Sequence, residues 1–154
     1  MSLAKVEVAV TMIACGERIL TIHNPKWGAF TFPMTKRRKW SDPEMPLGAG
    51  DEAWRAAATR VAAEVLGRTL AQEEEPQLLY DTVELRQNDE EGIWKVYNLQ
   101  IYKMRLLEIP HSYGFGVVVE WLTARQLQER IPISQTVRNV IKHLEGVDLL
   151  PPWA

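Results

Sequence analysis

Cysteine is almost absent: Cys15 stands alone in 154 residues, which rules out an internal disulfide framework and a cysteine-rich zinc site. A lone thiol suits a reducing compartment, so the cytoplasm is the expected location. Long apolar runs are missing too. The stretch after Lys5 is broken by Glu7 and Thr11 and lacks a small-residue cleavage pattern, so neither a membrane anchor nor a secretory signal is expected. Charge of one sign is scarce: a net charge of −2 argues against nucleic acid or a polyacidic partner and confines any basic site to a local cluster. The three histidines, His23, His111 and His143, show no metal-ligand spacing. No repeat or low-complexity tract divides the chain, and 46% hydrophobic content suits one domain over residues 1–154.

What is present reads as strands and helices in alternation. Val6, Val8, Val10 and Met12 recur with period two in residues 5–14, and Gly16 allows a turn into a second strand at 19–24. Residues 29–33 form a third short strand ended by Pro33. Residues 34–50, with prolines, glycines and a charge cluster, read as a loop. The spacing then predicts a helix over 51–67, capped by Asp51 and closed by Gly67, with Trp54, Ala57, Ala58, Val61 and Val65 on its core stripe. Residues 77–87 and 92–106 suggest a hairpin. The run 115–123 reads as a buried strand, with Thr123 capping a short helix. Ser134, the stripe Val137, Val140, Ile141 and Leu144, and a stop at Gly146 mark a final amphipathic helix. The expected class is α/β in the loose sense, or α+β: a mixed sheet flanked by helices.

The helix over 51–67 carries a further pattern. Glu52, seven intervening residues, Arg60, Glu64 and Gly67 stand at the spacings of the signature G-x5-E-x7-R-E-U-x-E-E-x-G-U, where U is a bulky apolar residue. In this the chain resembles the Nudix hydrolase superfamily. The "FTFPMT" stretch resembles the family's strand entering a Pro-Gly-Gly turn, with Met34 and Thr35 in place of both glycines. "VEWLTARQL" and "SQTVRNVIKHL" resemble its closing strand and helices, so the likeness runs through nearly the whole chain. The departures fall on the chemistry. Val61 and Val65 replace two glutamates, Arg68 replaces the last apolar residue, Pro46 stands at the first glycine, and the loop before Glu52 carries an insertion.

The resemblance implies hydrolysis of a diphosphate linkage with Mg²⁺ or Mn²⁺. Such hard cations need several oxygens, which acidic residues at i, i+3 and i+4 supply from one helix face. Here that triplet is Val61, Glu64 and Val65, so Glu64 is the one box carboxylate left as a metal ligand and catalytic residue, and the ion is expected to bind weakly or not at all. Glu120 is the candidate downstream acid. The acidic runs 73–75 and 89–91 read as solvated connections. Glu52 and Arg60 are expected to form a structural pair. Lys36, Arg37, Arg38 and Lys39 beside Trp40 form the expected phosphate-binding cluster, and Trp27 and Trp40 offer faces for a base. Three functions remain open. The first is a module that binds a nucleotide or other phosphorylated small molecule with weak or no hydrolysis. The others are an active hydrolase with non-standard ligands and a protein-interaction domain.

Overall fold

The structure, a computed structural model, describes residues 3–43, 45, 48, 50–87, 92–129 and 132–153. Pro46 and residues 89–91 lie outside them. Strand β1 (Ala4–Cys15) turns through Gly16, at φ 59°, into β2 (Arg18–Asn24), with Ala14 opposite Ile19, the expected hairpin. Strand β3 (Ala29–Thr31) pairs with β2. The segment read as a loop then contains a strand, β4 (Met34–Lys36), antiparallel to β1 with Val8 opposite Lys36. Its three residues are too few to show a period, and its pairing is set by β1, a partner distant in sequence. Strands β5 (Gln77–Gln87) and β6 (Trp94–Arg105) form the expected hairpin, and β6 runs parallel to β1 along its length. Strand β7 (Val119–Thr123) pairs with β2, giving seven strands in the order β3-β2-β1-β6-β5 with β4 on β1 and β7 on β2.

Helix α1 (Trp54–Leu66) covers one face of this sheet; α2 (Ala124–Glu129) and α3 (Gln135–Gly146) cover the other. Strand alternation sorts the core accordingly. Val8, Val10 and Met12 pack toward α3 with Leu99 and Ile101, while Ala9 and Ile13 pack toward α1 with Ala58 and Val65. Val61 and Val65 are each 5% exposed, so both belong to the core stripe. Thr11, fully buried, donates its hydroxyl proton to the Ala58 carbonyl at 2.9 Å and so ties β1 to α1.

Helix ends differ from expectation in two places. Ala53, not Asp51, stands at the N-cap of α1, without a side-chain bond; the Asp51 carboxylate instead accepts from the Trp40 backbone N–H at 2.8 Å. Helix α3 extends through Gly146 to a cap at Val147. The other caps follow the sequence. Gly67 takes the left-handed conformation after α1, and Ser134 Oγ accepts from the Val137 N–H. Thr123 and Gln126 exchange bonds at the start of α2, the Gln126 N–H to Thr123 Oγ1 and the Thr123 N–H to Gln126 Oε1.

The α1 C-terminus is held by the connection between β6 and β7. The Gly114 N–H donates to the Val65 carbonyl at 2.8 Å, and a Cβ at Gly114 would lie 2.1 Å from the Glu64 carbonyl oxygen. Next to it, the Tyr113 hydroxyl accepts from the Trp121 indole at 2.7 Å. Backbone thus meets backbone here with no space for a side chain.

Candidate functional site

Glu52 and Arg60 form the expected pair. Arg60 Nε donates to Glu52 Oε2 at 2.9 Å and Nη2 to Oε1 at 3.0 Å, a two-point contact that only a guanidinium can make. The same guanidinium reaches Thr35 Oγ1 at 3.3 Å and the Lys36 carbonyl at 3.1 Å, while Glu52 Oε1 also accepts from the Arg38 backbone N–H. Burial alone would raise the Glu52 pKa. The bonds from Arg60 and the Arg38 N–H, with both positive charges, outweigh it and hold the carboxyl below the ordinary carboxylate range. Arg60 therefore staples α1 to β4 and to the start of the loop.

The Glu64 side of the helix is different. Glu64 is exposed, with Oε1 3.7 Å from Arg60 Nη1, and its neighbours on the face are Val61 and Val65. Among the described residues no group of three or more His, Cys, Asp or Glu is arranged to hold a metal ion. Glu120 cannot join Glu64 there. It lies opposite Thr21 in the β2–β7 register, alternating with Val119 and Trp121, which pack toward α1; Glu120 therefore shares the α3 face with Leu122. The sheet stands between the two carboxylates. One exposed carboxylate beside an arginine does not fit Mg²⁺ or Mn²⁺, which need several oxygens. Within the run 73–75, Glu74 is bound bidentately by Arg68 at 2.7 Å and Glu75 lies 3.4 Å from Arg55, which accords with a structural connection.

The basic cluster does not act as one unit. Arg37 donates through Nε to the Glu52 carbonyl at 2.6 Å and through Nη1 to Glu7 Oε2 at 2.9 Å, and lies over the Trp54 ring. Lys39 pairs with Glu7 as well, and Trp40 is largely exposed beside it. These side chains fasten the loop to β1 and α1. Lys36 alone of the cluster turns into a cavity.

That cavity, of about 680 Å³, lies on the α3 face of the sheet, between β4, the ends of β5 and β6, and the start of α3. Among the described residues its walls carry Lys26, Lys36 and Arg86 and no carboxylate, with Trp27 and Tyr97 as aromatic faces. Arg86 is held in place: Nη1 donates to Thr136 Oγ1 at 2.9 Å, the guanidinium lies over Tyr97, and Nε is 2.9 Å from Glu84 Oε2 without the alignment of a hydrogen bond. The turn into α3 is fixed from β3, because the Phe30 N–H donates to the Pro132 carbonyl and the Ser134 N–H to the Phe30 carbonyl. Residues 134–136 thus line the cavity at a helix N-terminus, where amide dipoles favour negative charge. Thr35 and Lys36 line it while bonding Arg60, so β4 is the common wall of the cavity and the α1 staple. Lys26 and Arg86 were not foreseen. For Arg86 the available signal was a cation on the face of β5 that also carries Tyr80, Thr82 and Glu84.

No family model and no curated protein sequence matches the chain. Solved structures do. The MutT protein from Methanosarcina mazei superposes with a TM-score of 0.69 at 10% identity, over 96% of this chain and 98% of that one. A MutT NUDIX hydrolase from Burkholderia pseudomallei gives 0.60 at 17%, over 90% and 96%. A bifunctional NMN adenylyltransferase/ADP ribose pyrophosphatase from Francisella tularensis, complexed with AMP and a Mn ion, gives 0.63 at 10%, over 95% of this chain and 42% of that one. The fold is therefore Nudix-like, a mixed sheet between helices.

Proposed function

We propose, with a Nudix-like fold as the premise, that this chain binds a nucleotide or another phosphorylated small molecule and hydrolyses it weakly or not at all. The observation that carries the reading is the cavity wall: Lys26, Lys36 and Arg86, with no carboxylate among the described lining residues, beside an indole. Its volume suits a small ligand. The two lysines and the α3 N-terminus attract phosphate oxygens, Arg86 being paired with Glu84, while Trp27, 45% exposed, offers a face on which a base stacks. A bifunctional protein complexed with AMP, 42% of which this chain covers, contains the same fold, which agrees with a nucleotide-class ligand. Weak or absent hydrolysis follows from Val61 and Val65, which leave Glu64 without partners for an ion. The free, half-buried Cys15 agrees with residence in the cytoplasm.

Calorimetric titration with nucleoside di- and triphosphates and nucleotide sugars, each with Mg²⁺ and with EDTA, tests the reading. Binding is expected in both buffers. The Lys26→Ala/Lys36→Ala double variant should lose about tenfold or more in affinity, some 1.4 kcal/mol, with an unchanged melting temperature. Mg²⁺-dependent phosphate or pyrophosphate release that Glu64→Gln abolishes would instead establish the active hydrolase.

A further inference from the structure

We propose that two copies of this chain pair through the free edge of β5 to form a two-fold dimer, independently of what the cavity binds. Strand β5 closes the sheet, with β6 on one side and no partner among the described residues on the other. Natural edge strands are usually guarded by shortness, proline, lysine, bulges or inward-pointing charges; in β5 the inward-pointing charges, Glu84 and Arg86, lie 2.9 Å apart and offset each other. β5 is 11 residues long, contains neither proline nor lysine, and after one register shift at Leu78/Tyr80 runs regularly to Gln87.

Its two faces differ. Tyr80, Thr82, Glu84 and Arg86 point toward α3 and are half-buried. The other face falls beyond α1, whose packing on β6 is at Tyr102, and there Val83 is 66% exposed, Leu85 57% and Trp94 52%. Asp81 is the single charge of β5 on that face. A contiguous apolar surface beside an open row of backbone donors and acceptors is what a further strand would cover.

The sequence of β5 complements itself. Antiparallel pairing about a two-fold axis through Glu84 sets Val83 against Leu85 of the second copy and Asp81 against Gln87, so apolar meets apolar and the carboxylate meets an amide. On the α3 face, Arg86 falls opposite Thr82. Glu84 faces its own copy on the axis, but each carboxylate already lies 2.9 Å from Arg86 and accepts from Asn139 Nδ2 at 3.2 Å. A net charge of −2 adds little repulsion between copies.

Sedimentation from about 1 to 100 µM should show a species of twice the chain mass that dissociates on dilution. Val83→Lys/Leu85→Lys should weaken association by about 30-fold or more. A circular dichroism spectrum like that of the native chain would show that the variant folds. Amide exchange provides a measurement on the native chain: protection of residues 81–87 should rise with concentration, while that of β1 should not. A monomer throughout this range overturns the proposal, and so does a dimer that the double variant leaves intact or whose β5 amides exchange at a concentration-independent rate.

Discussion

Arg60→Ala lowers stability by about 2–3 kcal/mol, or roughly 5–10 °C in melting temperature for a chain of this size. The change removes two bonds to Glu52 and those to Thr35 and the Lys36 carbonyl, leaving a mostly buried carboxylate that keeps its bond from the Arg38 N–H. Partial exposure of the pair, 18% and 11%, keeps the loss below that of a fully buried one. Arg60→Lys should recover less than half, because an ammonium cannot bridge both oxygens. Glu64→Ala should fall within about 0.5 kcal/mol of the native chain, since its contact with Arg60 is long and exposed. Equal losses for Glu64→Ala and Arg60→Ala in urea titrations would contradict the division between a structural Glu52–Arg60 pair and an exposed Glu64. The pair also leaves a mark in pH. Because the Glu52 carboxyl is held below its ordinary value, its contribution is complete above the unfolded pKa, near about 4.3, and is lost as pH falls through the lower folded one. Melting temperatures below pH 5 should therefore fall less steeply for Glu52→Gln than for the native chain, and parallel curves would refute the assignment.

Gly114→Ala costs about 3 kcal/mol. A methyl group 2.1 Å from the Glu64 carbonyl oxygen forces the connection off α1, breaking the Gly114–Val65 hydrogen bond and loosening the Tyr113–Trp121 contact. Gly116→Ala is the control: its φ of 74° charges alanine about 1–2 kcal/mol, but nothing lies within 4 Å of the new atom. Denaturant midpoints should order the chains as native, Gly116→Ala, Gly114→Ala, with Trp121 fluorescence changed in the last alone. A Gly114→Ala chain no less stable than Gly116→Ala would show that the connection is not fixed to the helix.

These residues also show what could be read in advance. Elements with their own periodicity, α1, α3 and the two hairpins, were legible because each signal lies within about a dozen residues. The Glu52–Arg60 pair was legible too, through spacing on the helix signature. What escaped depends on partners distant in sequence. β4 exists because β1 offers an edge, Asp51 caps the Trp40 N–H because the loop folds back, and Glu120 faces α3 because of a register with β2. The cavity is the extreme case. Lys26, Lys36 and Arg86 come from a turn, a three-residue strand and an edge strand, and only the second belonged to a visible cluster.

The parallel β1–β6 pairing has a consequence in time. Ala4 meets Lys95 and Ala14 meets Arg105, so roughly ninety residues separate every rung of the ladder, and closing so large a loop must precede its reward. During synthesis β1 precedes β6, and its hydrogen-bonding edge stays open until that strand has cleared the ribosome. Slow translation or a stall before residue 105 leaves the innermost strand of the sheet as the segment most prone to capture by chaperones or by other nascent chains.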